Sequence, residues 1–556
     1  MFTPTRPALL LLLAATLWAA PLWAQTPAQP APAAQAAGDE AQGRIMARQA
    51  TKERQLWITA DHAKHEALKK PFASGPEVTQ ACLSCHNQAA IQFHKTIHWT
   101  WLDPSEPPDK KVGKGGLTVN NFCVALASNE PRCTSCHAGY GWKDKNYDFS
   151  DVTKVDCLVC HERTGTYKKF PTMAGNPVTE PTVFPEDKQE YLPPDWNAVA
   201  QSVGRPERAN CGVCHFYGGG GDAVKHGDLD SSMTHPAKDL DVHMGSKASG
   251  GQDFDCSRCH STKLHNIAGR IYSTPAAKDR KSLVQDDLAP KIMCESCHTA
   301  TPHKTAKMND HTDKVACQSC HIPEFARVIP TKMRWDWSTA GKMKDGKPFK
   351  TTGPLGKPSY DTKKGDFVWE KNVIPEYHWF NGSITNTTAK DKIDPSKPVR
   401  LAWPRGDRSD PNSRIMPFKV HRGKTPYDTV NRTMLVPHLF GKDDAAYWKS
   451  YDWATALKAG MDYVNLPFSG QFDFVETEYV YPTTHMVAPK DKALNCEQCH
   501  ARTGRLANLA GFYMPGRDNL KPLDWLGWFG VIGSLAGVGL HGLARAFSRR
   551  KKEDKS

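Results

Sequence analysis

Residues Cys133-Thr134-Ser135-Cys136-His137 set two cysteines three apart with a histidine directly behind the second, and this short stretch decides the architecture. The pattern returns as Cys82/Cys85/His86, Cys157/Cys160/His161, Cys211/Cys214/His215, Cys256/Cys259/His260, Cys294/Cys297/His298, Cys317/Cys320/His321 and Cys496/Cys499/His500. The eight copies take sixteen of the seventeen cysteines. Their spacing lets both thiols form thioethers to porphyrin vinyl groups and sets the adjacent imidazole under the iron. Zinc needs paired half-sites, a thioredoxin-like redox pair occurs once, and a disulfide framework gives no reason for a histidine in every copy. The sequence therefore predicts eight covalently bound heme c groups.

With motifs every few dozen residues, porphyrin faces must supply much of the core of a 556-residue chain that is only 39% hydrophobic. The expected fold is mainly α with extensive irregular loops and few strands, organised around eight hemes, plus one C-terminal transmembrane helix. A formal charge of +13 would otherwise suggest an acidic partner. Heme propionates more than offset it, so many Lys and Arg are propionate partners and no nucleic acid is expected.

Both ends carry address signals. Arg6, the apolar run from Ala8 to Ala20 and small residues up to Ala24 read as a signal peptide over residues 1–24, followed by an Ala/Pro-rich linker over 25–45. An octaheme domain is expected over 46–515. From Trp525 to Ala544 the residues are apolar or small apart from His541, long enough for a bilayer core, which predicts a transmembrane helix over 523–545. Arg545, Arg549, Arg550, Lys551, Lys552 and Lys555 make 546–556 a basic cytoplasmic tail and leave the heme domain periplasmic. Gly530, Gly533 and Gly537 would let that helix pack on a quinol-oxidising, cytochrome b type membrane subunit; a periplasmic electron carrier is the other candidate partner.

Seven motifs lie between Cys82 and His321, and 174 residues then separate His321 from Cys496. That gap, rich in aromatic residues, Pro, Gly and Lys, is expected to wrap the domain, with a turn at Asp345-Gly346-Lys347-Pro348 and one helix around Asp444–Met461. Low-spin hemes need a second axial ligand beyond the motif histidines His86, His161, His215, His260, His298, His321 and His500. Fourteen further histidines, from His62 to His485, form the pool. His94, His98, His243, His265, His303, His311 and His485 are the candidates within it.

The stretch NNFCVALASNEPRCTSCHAGYGW over Asn120–Trp142 and CGVCHFYGGGGDAVKHGDLD over Cys211–Asp230 resemble the octaheme tetrathionate reductase family of periplasmic cytochromes. The resemblance runs from about Cys82 to His500. It implies that a lysine, here Lys225, replaces His137 on the iron of the second heme, leaving the opposite face open. The glycines Gly218–Gly221 would let backbone approach a porphyrin, and Asp222 would orient the Lys225 amine. Asn120 and the unpaired Cys123, three apart and on one face if helical, would line the distal pocket. Lys314 matches a further pocket residue that would attract and protonate an anionic or hydroxylamine-like substrate.

The function so implied is reduction of tetrathionate, nitrite or hydroxylamine at a lysine-ligated heme fed by seven bis-histidine hemes. Two rivals stand beside it. A non-catalytic wire between the quinone pool and a periplasmic partner would have every iron doubly ligated. A hydroxylamine or hydrazine oxidoreductase would carry a tyrosine crosslinked to its catalytic heme, and no signature for one is recognisable.

Overall fold

Strand-forming residues concentrate in the gap after His321. Phe472–Pro482 alternates aromatic and β-branched residues with Asp and Glu, a pattern that suits a pleated surface buried on one side. Its neighbour Arg414–Asp428 is buried almost throughout because both of its faces are covered. The structure, a computed structural model, describes residues 40–51, 60–103, 106–260, 262–267, 292–518 and 520–553. The signal-peptide reading over 1–24 and most of the linker lie outside these.

Ten strands form one sheet: β1 (Thr331–Asp336), β2 (Lys350–Thr352), β3 (Pro358–Asp361), β4 (Gly365–Glu370), β5 (Glu376–Phe380), β6 (Ile384–Asn386), β7 (Val399–Pro404), β8 (Arg414–Asp428), β9 (Thr433–Met434) and β10 (Phe472–Pro482). Their order is β6-β7-β10-β8-β1-β4-β3-β2, with β5 and β9 also pairing with β8. β8 and β10 pair antiparallel from Phe418 opposite Pro482 to Asp428 opposite Phe472. β8 runs parallel to β1, and β7 to β10.

The expectation of a mainly α fold with few strands is therefore corrected. The wrapping segment is a sheet, hidden in the sequence because its longest strand buries polar residues such as Lys419 and His421 along with the apolar ones. Asp345 and Gly346, both with positive φ, turn the small hairpin of Met343–Lys344 and Lys347–Pro348, as expected. The predicted helix is shorter and later. Tyr451 adopts φ +57°, and Asp452 caps α1 (Trp453–Tyr463) through the Ala454 amide at 3.0 Å. Trp335 and Trp337 stack at 4.9 Å, and Tyr447 stacks on Trp453 at 4.0 Å, in the core between this helix and the sheet.

The motif-bearing part consists of helices of four to nine residues, such as Gly75–Leu83, Leu158–His161 and Arg208–His215, joined by turns around a connected cavity of about 3640 Å³. At the other end α2 (Lys521–Glu553) is apolar over Lys521–Ser548 and long enough to cross a membrane.

Three of the places where the sheet grips the motif-bearing part position the site. Ala316 N, just before the seventh motif, donates to Ile415 O of β8 at 2.9 Å. Trp337 Nε1 donates to Phe122 O at 2.6 Å, and Asn121 Nδ2 to His421 O at 2.8 Å. Lys419 Nζ donates to Val224 O at 2.9 Å and Thr331 Oγ1 to Ala223 O at 2.6 Å. The last two hold the turn carrying Cys123 and the loop carrying Lys225.

Candidate functional site

Seven motif histidines each face one other imidazole across the cavity. The pairs, with ring-centroid separations, are His86–His62 at 6.3 Å, His161–His265 at 6.1 Å, His215–His98 at 6.2 Å, His260–His485 at 6.3 Å, His298–His243 at 6.0 Å, His321–His303 at 6.1 Å and His500–His311 at 6.1 Å. Two ring nitrogens each about 2 Å from one metal put their ring centroids roughly 6 Å apart. All fourteen rings line the cavity together with the attachment cysteines.

The second nitrogens support the same fit. Nδ1 of His161, His298, His311 and His500 bonds the carbonyls of Gly204, Gly43, Lys307 and Pro515 at 2.8–3.1 Å. Nδ1 of His303 meets Asn309 Oδ1 at 3.2 Å, and that of His485 meets Asp228 Oδ2 at 3.0 Å. Such bonds fix the tautomer and leave Nε2 free for a metal. Burial pushes His215 down to about 3 and His260 and His321 to about 4, so all three are neutral, as ligands must be. The residues fit heme c at these positions.

The second motif differs. His137, 1% exposed, is turned away from the cavity into a box of Trp99, Trp101, Trp142 and Tyr147, with ring centroids 4.9–5.8 Å from its own. Its Nε2 donates to Trp99 O at 2.8 Å, and burial holds the ring neutral, down at about 3. Its Nδ1 packs against Gly139, where an added Cβ would come within 2.9 Å. The Nε2 that a motif histidine offers to iron is thus engaged by backbone.

Lys225 lines the cavity instead, near enough to Cys136 for their charges to interact. Its loop closes through Lys225 N donating to Gly218 O at 3.2 Å, and Gly219 has φ +82° with Val224 so near that a Cβ would sit 2.9 Å from it. Burial and the neighbouring charge of Lys114 push the Lys225 ammonium down to about 8. The Tyr481 ring centroid lies 5.6 Å from its Nζ.

Asn120 and Cys123 also line the cavity, but through a turn, not a helix: Asn120 Oδ1 accepts from Phe122 N at 2.9 Å, and Val124 has φ +61°. Three sequence expectations are corrected. Asp222 accepts from Ser231 N at 3.0 Å and Ser231 Oγ at 2.6 Å, so it braces the loop and does not orient the amine. Lys314 lies beside β8, with its carbonyl accepting from Ile415 N at 2.7 Å, outside the cavity lining. His94 stacks flat on Trp99 at 4.4 Å and faces no motif histidine. His62, not His94, completes the seven pairs, and Lys114 lines the cavity with its charge acting on Lys225.

Two family models match parts of the chain: bacterial cytochrome c over residues 332–503, and cytochrome c554 and c-prime over residues 81–162. An uncharacterised protein of Archaeoglobus fulgidus is 22% identical over 273 residues, 42% of this chain and 89% of that one. The crystal structure of an octaheme cytochrome c from Shewanella oneidensis is similar at 45% identity and a TM-score of 0.69, covering 80% of this chain and 95% of that one. This chain is an octaheme c-type cytochrome.

In this octaheme cytochrome the attachment cysteines also reveal which sites are neighbours. Cys82 of the first touches Cys157 of the third, Cys136 of the second touches Cys214 of the fourth, Cys211 of the fourth touches Cys256 of the fifth, and Cys294 of the sixth touches Cys317 of the seventh. Asn210 Nδ2 donates to Glu162 O at 3.0 Å between the third and fourth sites. Cys259 of the fifth faces Cys297 of the sixth. Leu494 N donates to Cys320 O at 2.9 Å and Ala488 N to His321 O at 2.8 Å, joining the seventh to the eighth. The row runs first, third, fourth, fifth, sixth, seventh, eighth; the second site lies beside it, joined to the fourth through Cys136 and Cys214 and to the third where Asp156 N donates to Ala138 O at 3.1 Å.

Proposed function

We propose that this octaheme cytochrome is a multi-electron reductase of tetrathionate, nitrite or hydroxylamine, held at the periplasmic face of a membrane by α2, with the second site as its catalytic centre and Lys225 as that iron's ligand. The observation that carries the reading is the engagement of His137 Nε2 by Trp99 O while Lys225 lines the cavity within charge range of Cys136 of the same motif. The seven facing imidazole pairs are assigned as the axial ligands of conducting hemes. Bound heme supplies one-electron storage at each site and, at a singly ligated iron, a vacant position for substrate.

The protein's part at the second site follows from its own groups. Lys225 must give up its proton to bind metal, and a pKa near 8 in place of 10.5 makes that loss easier at neutral pH. The sheet holds the Cys123 turn and the Lys225 loop from the same side, through Trp337 and Lys419, which fixes the shape of the pocket. Lys114 places positive charge where an anion such as nitrite or tetrathionate would arrive, and Asn120, bonded to Phe122 N and Val124 O, fixes the turn from which Cys123 offers its thiol.

Electron paramagnetic resonance on the purified protein tests this. A single ferric signal that changes on adding nitrite, hydroxylamine or tetrathionate is expected. Lys225→Leu is expected to keep eight hemes, by heme-to-protein ratio, and to lose turnover. Turnover retained in that variant removes the assignment, and unchanged bis-imidazole signals throughout leave electron transfer as the function.

A further inference from the structure

The row of sites has two ends besides the branch that carries the second site: the first motif and the eighth. The eighth adjoins the apolar helix. His500 Nδ1 bonds Pro515 O at 3.0 Å, and Gly516 lies so close that an added Cβ would meet His500 O at 2.2 Å. Arg517 ties the same loop together, donating to Leu506 O at 3.1 Å and Phe512 O at 2.6 Å and pairing with Asp518 at 2.7 Å. Six residue steps separate Pro515 from Lys521, where α2 begins, so the chain can part them by at most about 20 Å. The first motif has no such tether along the chain: 434 residues lie between His86 and Lys521.

We propose that electrons enter this cytochrome at the eighth site, from a quinol-oxidising protein in the membrane that α2 spans, and run from the eighth through the seventh, sixth, fifth and fourth sites to the second. The inference rests on the membrane-anchored reductase reading. In the entry step a quinol is oxidised to quinone, its two protons leave to water, and its two electrons reduce two ferric sites to ferrous, one each. The surface at the eighth site suits such a donor. Cys496 is exposed and Tyr513, on the loop that packs against His500, is 56% exposed. Leu520 and Leu523 continue an exposed apolar face into the helix. The first site then lies at the remote end of the third-to-first spur, off the route.

The test uses membrane vesicles carrying the full chain and follows heme reduction by visible absorbance, once with NADH feeding the vesicles' own quinone pool and once with reduced methyl viologen. Inserting four Glu-Ala-Ala-Ala-Lys repeats after Leu520 lifts the eighth site about 30 Å off the helix. Pool-driven reduction is expected to slow at least tenfold, while the same repeats placed in the hairpin turn at Gly346 leave it unchanged. Tyr513→Glu beside the eighth site is expected to slow it several-fold, and Ile91→Glu just after the first motif to leave it as it was. Viologen-driven reduction should be equal in all four, which shows that the hemes are loaded and the protein folded. Slowing by Ile91→Glu but not Tyr513→Glu, or no slowing by the lifted tether, overturns entry at the eighth site. Failure of the chain to float with the vesicles instead sinks the anchor reading beneath it.

Discussion

Asp228 Oδ2 accepts from His485 Nδ1 at 3.0 Å and from the Thr484 and His485 amides at 2.8 and 3.0 Å. The other described Nδ1 bonds of the paired imidazoles go to neutral carbonyl or amide oxygens. A carboxylate makes its imidazole a stronger donor and stabilises the ferric form. Burial alone would push His485 down, yet the bond and charge of Asp228 raise it. Asp228→Asn is therefore expected to raise the midpoint potential of one heme, the fifth, in a potentiometric titration; an unshifted set of potentials would refute the role. Asp230, two residues on, obeys the opposite balance. Burial, opposed by Ser232, pushes its carboxyl up to about 6. Its folded pKa exceeds the unfolded value of 3.8, so between these values the folded state holds the extra proton and stability falls as pH rises through 6. Chemical unfolding of Asp230→Asn, which can keep the cap on Ser232 N, is expected to show a flatter stability profile between pH 4 and 6. At this scale the attachment cysteines were legible because covalent chemistry dictates their spacing. The choice of His62 over His94 was not, because a distal ligand is selected by which turn reaches across the cavity, and both histidines precede or follow the first motif at unremarkable distances.

The sheet explains why 174 residues intervene before the eighth motif. Trp337 sits in a 3₁₀ turn after β1, fully buried, and its indole donates to Phe122 O, one residue before Cys123. Trp337→Phe keeps the aromatic bulk but leaves that carbonyl unpaired, a loss of about 1–3 kcal/mol. The expected result is a lower denaturant midpoint together with altered access of a thiol reagent to Cys123, and a stability loss without any change at Cys123 would mean that the sheet does not shape the pocket. Single-sequence patterning missed these strands for a physical reason. β8 carries Lys419 and His421 in its buried run, both pushed well below their ordinary pKa by burial, so residues that read as surface lie in the core. Hairpin chemistry at Asp345-Gly346 was local and was readable; pairing of β8 with β10 across more than forty residues was not.

For the whole molecule, the cavity of about 3640 Å³ is lined by the attachment sites themselves, and the motif-bearing helices are too short to be stable without something packed between them. The sheet half differs, having a continuous core from Val119 and Phe122 through Trp335, Trp337 and Leu401 to Met461 and Tyr481. Stability is therefore unevenly divided: residues 75–321 hold only small side-chain clusters, such as Val78, Tyr140, Leu158 and Val199, to which bound heme faces would add apolar contact, whereas residues 331–482 share one continuous core. Full-length chain produced where thioether formation is blocked is expected to lose protease resistance first between residues 75 and 321, with cleavage sites mapped by mass spectrometry. The Lys225 loop and the Cys123 turn should open together in that experiment, because both are held by the sheet and both line the cavity that heme would fill. Protease resistance equal to that of the heme-loaded protein would mean that the motif-bearing part closes on itself, and the hemes would then be guests of the fold and not its core.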